Sequence, residues 1–247
     1  MSERKTVRAV ERALDILLCF LQRSSLSLTE IAELTQLNKS TVYRLLTTLE
    51  EKGFLIRDPE TEKYRLGFRI WELSVHLDAS NDPAILFLPE MERLRDRLDE
   101  TVSLYIRDGY ERVRIQAVES RQAIRRVAPV GARMSLAVGA SSKVLMAFAS
   151  PSFVEKVIQS PHWPDDVDPA LYREQLKKIQ QDGYAISIEE REAGTAAIAV
   201  PIFNRNNQIV AALAVSGPVQ RMSQAQMRSF LPELTKAVEK MGKMLRK

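Results

Sequence analysis

From Val10 the apolar residues Val10, Ala13, Leu14, Leu17, Leu18 and Leu21 recur at helical spacing, which predicts an amphipathic helix ending near the Ser24-Ser25 pair. Ser27 stands three residues before Glu30, a capping-box spacing, and Ile31, Ala32 and Leu34 carry a short second helix to about Thr35. Asn38 caps a third helix, with Val42, Leu45, Leu46 and Leu49 on its buried face and Gly53 placed to take the left-handed position after its end. Two short extended runs, Phe54-Leu55-Ile56 and Tyr64-Arg65-Leu66, flank the turn formers Asp58-Pro59-Glu60-Thr61. Residues 1–66 therefore read as three helices followed by a wing, the order of a winged helix-turn-helix.

The outer face of the third helix shows Lys39, Ser40, Thr41, Tyr43, Arg44, Thr47 and Thr48, with no acid before Glu50. Such side chains bond phosphate oxygens and base edges. On an isolated helix the same face would be ordinary solvated surface; here the neighbouring helix and wing favour DNA. Arg57, Lys63 and Arg65 stand where a wing meets the DNA backbone.

Farther on, Phe68, Trp71, Leu73, Val75 and Leu77 predict a connecting helix within residues 67–81, and Asn81-Asp82-Pro83 opens a second domain, 82–247. Ile85, Phe87, Met91, Leu94 and Leu98 predict a helix to about Glu100 that Pro89 must kink or restart. Alternation at Val102, Leu104 and Ile106, a turn at Asp108-Gly109, and Val113, Ile115 and Ala117 predict a hairpin. An extended stretch follows around Arg125 to Val130, then helices near Ser141 to Ala149, Pro151 to Gln159 and Pro169 to Gln181. Ala196 to Phe203 and Ile209 to Val215 predict a second hairpin, and Ser223 and Gln226 cap a last helix reaching Leu245. The expected fold class is α+β: a winged helix-turn-helix plus a GAF- or profilin-like mixed α/β domain, with helices flanking a mainly antiparallel sheet.

Composition narrows the function. The 247 residues hold 36 Lys/Arg against 32 Asp/Glu, net +4, but the first 80 hold twelve of each. Any DNA contact must therefore come from a local arrangement of cations, because phosphate attraction acts over about 10 Å or less. A single cysteine, Cys19, makes no disulfide within the chain, and with only His76 and His162 beside it a Cys/His zinc cluster is out of reach. Apolar runs such as Ile209 to Val215 fall far short of the roughly 20 residues of a membrane helix. The charged N-terminus lacks a long apolar stretch after it, so a cytoplasmic protein without membrane contact is expected. Ser141, Ser142 and Lys143 lie together, as do Ser187, Glu189, Glu190 and Glu192, and a Ser-Lys pair can make a nucleophile. There is no Gly-x-Ser-x-Gly elbow and no phosphate-loop glycine pattern, so neither a catalytic residue nor a cofactor is expected.

The stretch Leu28-Thr29-Glu30-Ile31-Ala32, the run Lys39-Ser40-Thr41-Val42-Tyr43-Arg44-Leu45-Leu46, and Gly53, Tyr64 and Leu66-Gly67 resemble the DNA-binding domain of the IclR family of bacterial transcription regulators. Val130-Gly131-Ala132-Arg133-Met134-Ser135-Leu136 on to Lys143, and Gly183-Tyr184-Ala185 through Glu189-Glu190, Gly194, Ile198-Ala199-Val200-Pro201 and Ser216-Gly217-Pro218, resemble that family's effector domain. The resemblance covers nearly the whole chain. Where the family commonly shows Leu-Pro-Leu-His and then Gly-Lys, this chain has Met134-Ser135-Leu136-Ala137 and Ser142-Lys143. Ser187 replaces a common acid, and Ala197 a frequent Cys. The resemblance implies a transcription regulator that binds a double-stranded operator as a homodimer or homotetramer and senses a small molecule.

The residues on which a small carboxylate is expected are Met134, Ala140, Ser141, Ser187, Ala197, Ala214 and Ser216. Helix-start N–H groups near Ala140 and Ser141 favour an anion, and Ser141, Ser142 and Ser216 supply hydroxyls, each of which also reads as a cap or turn hydroxyl. Ala197 and Ala214 leave room, and Ser187 removes a repelling charge. Arg125 and Arg126 are adjacent on an extended stretch and point to opposite faces: either Arg126 turns inward with Ile124 and Ala128 as an anion anchor, or both lie over the sheet edge. Glu189 and Glu190 brace the pocket loop or face solvent. The alternative function is a constitutive DNA-binding protein whose second domain only oligomerises.

Overall fold

The computed structural model describes residues 6–21, 23–75, 82–125 and 129–245. The chain divides into two compact units, Met1–Ala79 and Ser80–Lys247.

The first unit contains α1 (Arg8–Cys19), α2 (Leu28–Thr35), α3 (Lys39–Glu51), β1 (Leu55–Arg57), β2 (Tyr64–Leu66) and α4 (Phe68–Val75). The capping box at α2 is complete: Ser27 N–H donates to Glu30 Oε2 at 2.8 Å, and Glu30 N–H donates to Ser27 Oγ at 3.3 Å. Asn38 Oδ1 accepts the Thr41 N–H at 2.9 Å, which starts α3 at Lys39. The core gathers Ile16, Phe20, Leu26, Ile31, Val42, Leu46, Leu49, Leu55 and Tyr64, with Leu45 only partly covered. β1 and β2 pair antiparallel, and Leu26 exchanges backbone hydrogen bonds with Tyr64, tying the α1–α2 connection to the wing.

α1 departs from the expected single buried stripe. Ile16 and Phe20 enter the core, whereas Val10, Leu14, Leu18 and Leu21 lie more than half exposed. The apolar pattern thus served two faces, only one of which this unit covers. On α4 the rings of Phe68 and Trp71 stack at 4.8 Å between centroids and both remain exposed. Of the expected connecting helix, residues 76–81 lie outside the described residues.

The second unit opens with Asp82 capping α5 (Pro83–Leu86) through the Ala84 N–H, and Pro89 sits in the first turn of a restarted α6 (Leu88–Leu98). It continues with β3 (Thr101–Asp108), β4 (Glu111–Val118), β5 (Arg133–Ser135), α7 (Ala140–Ala147), α8 (Pro151–Ile158), α9 (Pro169–Asp182), β6 (Ala185–Ile188), β7 (Thr195–Phe203), β8 (Ile209–Pro218), α10 (Gln224–Ser229) and α11 (Leu231–Met244). The strands form one six-stranded antiparallel sheet in the order β5-β4-β3-β8-β7-β6. Val102, Leu104, Ile198, Val200, Leu213 and Val215 face a core shared with α6, α10 and α11. Tyr105, Ala185, Ala199, Ala212 and Ala214 face a second core under α7, α8 and α9.

Three expectations change. Of the extended stretch expected around Arg125 to Val130, Arg125, Pro129 and Val130 lie on no strand and 126–128 fall outside the described residues; the third strand is Arg133–Ser135, paired with Glu111–Val113. β6 was not expected; its four residues are too few for alternation to stand out. The last helix is two, because Pro232 lacks the N–H to continue α10 and starts α11 instead. Among the described residues, no helix is long and apolar enough to cross a membrane, and no His/Cys/Asp/Glu group could hold a metal.

Candidate functional site

Two surfaces carry the chemistry, one in each unit. In the first, Lys39, Ser40, Tyr43 and Arg44 are exposed along the outer face of α3, while Thr41 and Thr47 are half-buried beside them. Some of their capacity is used locally. Ser40 Oγ donates to Asn38 Oδ1 at 3.0 Å, and Thr47 Oγ1 donates to the Tyr43 carbonyl at 3.0 Å, so each hydroxyl keeps its acceptor lone pairs for a ligand. On the wing, Arg57 bridges to Glu62 at 2.8 Å and lies 5.8 Å from the Tyr64 ring centroid, while Lys63 is half-buried. Arg57 is therefore already partnered, and Lys39 and Arg44 are the cations the structure presents openly on α3.

In the second unit the sheet register lines up side chains in rows on the face under α7. Ser187, Ala197, Ser216 and Thr101 form one row across β6, β7, β8 and β3. Two residues along each strand, Ala185, Ala199, Ala214 and Ser103 form the next. α7 packs over these rows, with Ala140, Val144 and Ala147 in the same core as Ala199, Ala212 and Ala214. The small side chains of β7 and β8 thus let the helix approach closely. Ser187, Ala197, Ala214 and Ser216 lie on one face of the sheet; Met134 stands apart on β5, opposite Arg112.

Sequence reasoning missed what links these groups. Arg112 and Arg114, on alternate positions of β4, both point to the α7 face and are 4% and 1% exposed. Arg114 Nη2 donates to Ser103 Oγ at 2.6 Å, in the Ala214 row. Arg112 Nη1 donates to Ser141 Oγ, its Nη2 lies 3.7 Å from Met134 Sδ, and its guanidinium rests 5.0 Å from the Tyr105 ring centroid. The Arg112 Nε is buried without a partner. Burial pushes the Arg112 pKa down to about 10 and lowers that of Arg114 as well.

The start of α7 completes the cluster. Gly139, at φ +92, packs against the Arg112 guanidinium so closely that a Cβ there would lie 3.1 Å from Nη2. The Gly139 N–H donates to Glu190 Oε2 at 3.0 Å, and Lys143 Nζ pairs with Glu190 Oε1 at 2.7 Å, so Glu190 braces the loop. Ser142 Oγ donates to the Ser135 carbonyl at 2.7 Å, and the buried Tyr172 hydroxyl donates to the Leu136 carbonyl at 2.7 Å, fixing the segment that leads into α7. Arg191, on the same loop as Glu190, reaches Met134 Sδ. Open cavities of about 450 and 300 Å³ border this cluster at Lys143, Glu190 and Tyr172.

Arg126 lies outside the described residues. Its neighbour Arg125 is not on a strand and pairs with Glu119 at 3.0 Å in a partly exposed position, so the premise of two arginines alternating along a strand does not hold. The signal that pointed to β4 instead was the run Arg112-Val113-Arg114-Ile115. Residues two apart on a strand share a face, so Arg112 and Arg114 lie together opposite Val113 and Ile115.

Comparison with known proteins covers both surfaces. The model for the IclR helix-turn-helix domain matches residues 9–59, and the model for the bacterial transcriptional regulator IclR C-terminal domain matches residues 79–243. The HTH-type transcriptional regulator KipR of Bacillus subtilis is 31% identical over 94% of this chain and 93% of its own. XynR of Escherichia coli, another HTH-type transcriptional regulator, is 31% identical over 94% of each. An IclR homologue from Microbacterium hydrocarbonoxydans, solved with 4-hydroxybenzoate, superimposes with a TM-score of 0.85 at 26% identity, over 96% of this chain and 99% of that one.

Proposed function

Because the chain belongs to the IclR family and is a DNA-binding transcriptional regulator, we propose that a small organic acid, bound in its second unit, modulates how tightly α3 and the wing hold the operator. The observation that carries this reading is the polar cluster buried beneath the start of α7. Buried polar groups cost free energy unless hydrogen bonds or an opposite charge compensate them, and a ligand is one source of both. Here the Ser141 hydroxyl meets the buried Arg112 guanidinium beside a helix N-terminus, the chemistry of a carboxylate, and Ser187 and Ser216 stand in one row on the same face of the sheet. The related structure with 4-hydroxybenzoate supports an acid as the kind of ligand.

On this reading 1–66 reads DNA through Lys39, Ser40, Thr41, Tyr43, Arg44, Thr47, Arg57 and Lys63, 67–81 connects, and 82–247 senses. The working form is a homo-oligomer: one recognition helix reads too few base pairs, and two-fold operators need half-sites roughly 34 Å apart or a multiple. The exposed stripe of α1 and the stacked Phe68 and Trp71 are apolar surface a second copy would cover.

The test is operator release in the presence of organic acids, with wild type and with Ser141→Val/Ser216→Val. Wild type should release DNA as an acid is added, and the double variant should bind DNA equally well without responding. A double variant responding at the same concentration places the ligand elsewhere. Indifference of the wild type to every acid favours a constitutive DNA-binding protein whose second domain only oligomerises.

A further inference from the structure

Arg112 is an arginine in a costly place. A charged side chain leaves water only when paired or otherwise compensated, because desolvation costs several kcal/mol per ion. The partly exposed Arg221 guanidinium has such a partner, meeting Glu100 at 2.6 Å. Arg112 instead meets a hydroxyl, a thioether and an aromatic face, and its Nε has no acceptor. The neighbours add to the imbalance. The guanidinium packs against Gly139, the N-cap of α7, where the helix dipole is positive. Arg191 opposes its charge, and the nearby carboxylate of Glu190 is engaged with the Gly139 N–H and Lys143.

A structural role does not account for this. For packing alone, a methionine or leucine of similar volume would fill the same space without the desolvation cost, and replacing buried charges by apolar residues is often neutral or stabilising. The cation is explained if a negative group completes it. The Nε edge is the unsatisfied side, and Nε with one Nη presents two parallel donors that match the two oxygens of a carboxylate.

We propose that Arg112 is the acid-reading residue of the effector site, so that the effector is an organic anion whose carboxylate takes the Nε/Nη edge beside Ser141 and the start of α7. This rests on the reading of the second unit as an acid sensor and narrows it. Arg112 discriminates by charge: an amide of the same shape offers an N–H₂ donor to a donor, and leaves the buried cation uncompensated. The rest of the ligand sets size and shape selection and lies beyond this pole.

The experiment compares acids with their carboxamides on the full chain by titration calorimetry and thermal shift. The probes are acetate, pyruvate, succinate, benzoate and 4-hydroxybenzoate, each against its amide, with wild type, Arg112→Met and Arg112→Lys. At least one acid should bind wild type, its amide should bind about a hundredfold or more weakly, and Arg112→Met should lose the acid to a similar degree. Arg112→Lys should retain part of the affinity, since it keeps the charge and loses the fork. Without ligand, Arg112→Met should unfold at or above the wild-type midpoint; a purely structural arginine would lower it. Equal binding of acid and amide by wild type, or undiminished acid binding by folded Arg112→Met or Arg112→Lys, overturns the assignment to Arg112 and leaves the sensor reading standing. No acid binding to wild type at millimolar concentration overturns both.

Discussion

Replacing Arg44 by alanine tests the DNA-reading face most directly, because the structure separates its effect on binding from any effect on folding. The side chain is exposed on the outer face of α3, and the core of the unit is built from Val42, Leu46 and Leu49 on the other side. The hydrogen bond at this position, from Thr48 Oγ1 to the Arg44 carbonyl at 3.0 Å, uses the backbone and survives the substitution. Unfolding should therefore be unchanged, alanine being the better helix former by a few tenths of a kcal/mol. An arginine that reads a base contributes about 1 to 3 kcal/mol per half-site, a loss of about 5- to 150-fold in affinity. Arg57→Ala is the internal control: with its guanidinium already held by Glu62 and over Tyr64, it should cost less. The assay is fluorescence anisotropy on a duplex selected from a random pool with wild-type protein, and on a scrambled duplex, each at two salt concentrations. Loss confined to the selected duplex marks base reading; an equal loss on both, with the salt slope reduced by about 1, marks a phosphate contact. Less than a twofold change on either duplex would remove the α3 face from the DNA interface.

Three further outcomes follow from the packing. Trp71→Ser removes the larger of two exposed, stacked rings, so wild type should sediment as a dimer or larger at micromolar concentration and the variant should shift toward monomer; a monomeric wild type refutes this use of α4. Glu90 is buried between Lys240 on α11 and Arg93; burial raises its pKa, but hydrogen bonds from those two cations more than offset this and leave it lowered. Its stabilisation is thus complete above the ordinary carboxylate range and is lost as pH falls through the depressed value. Glu90→Gln should cost about 1 to 3 kcal/mol at pH 7 in urea unfolding, and the gap to wild type should close on acidification. Gly67→Ala would put a Cβ 2.2 Å from the Gly53 carbonyl oxygen, so the first unit should lose about 1 to 3 kcal/mol in chemical denaturation; unchanged stability would show that this backbone approach relaxes freely.

The first unit was legible because its second and third helices are each signalled twice, by apolar period and by a cap. Ser27 with Glu30, and Asn38 before α3, mark starts that the periodicity confirms. α1 shows the limit of that logic: period finds an apolar face but does not say whether the chain's own core or another surface takes it. In the second unit the hairpins were readable from alternation, while β6 was not, since Ala185–Ile188 alternates small and branched residues over a single pair of repeats. The candidate site was half legible. Ser141, Ser187, Ala197, Ala214 and Ser216 were reached through the family resemblance, and the sheet places the four strand residues on one face. Arg112 was not reached, because its burial depends on β4 lying between β3 and β5 beneath a helix, and no local pattern encodes that.

The close approach of Gly53 and Gly67 has a mechanical meaning. Gly53 follows α3, Gly67 precedes α4, and the two are fastened by the Arg69 N–H on the Gly53 carbonyl at 3.2 Å and the Gly67 N–H on the Phe54 carbonyl at 2.7 Å. With no side chain at either position, backbone sits on backbone and nothing between them can yield. The start of α4 and the end of α3 therefore form one crank: a turn of α4 is passed to α3 through backbone alone, while the hairpin tip at Asp58–Lys63 lies outside the clamp.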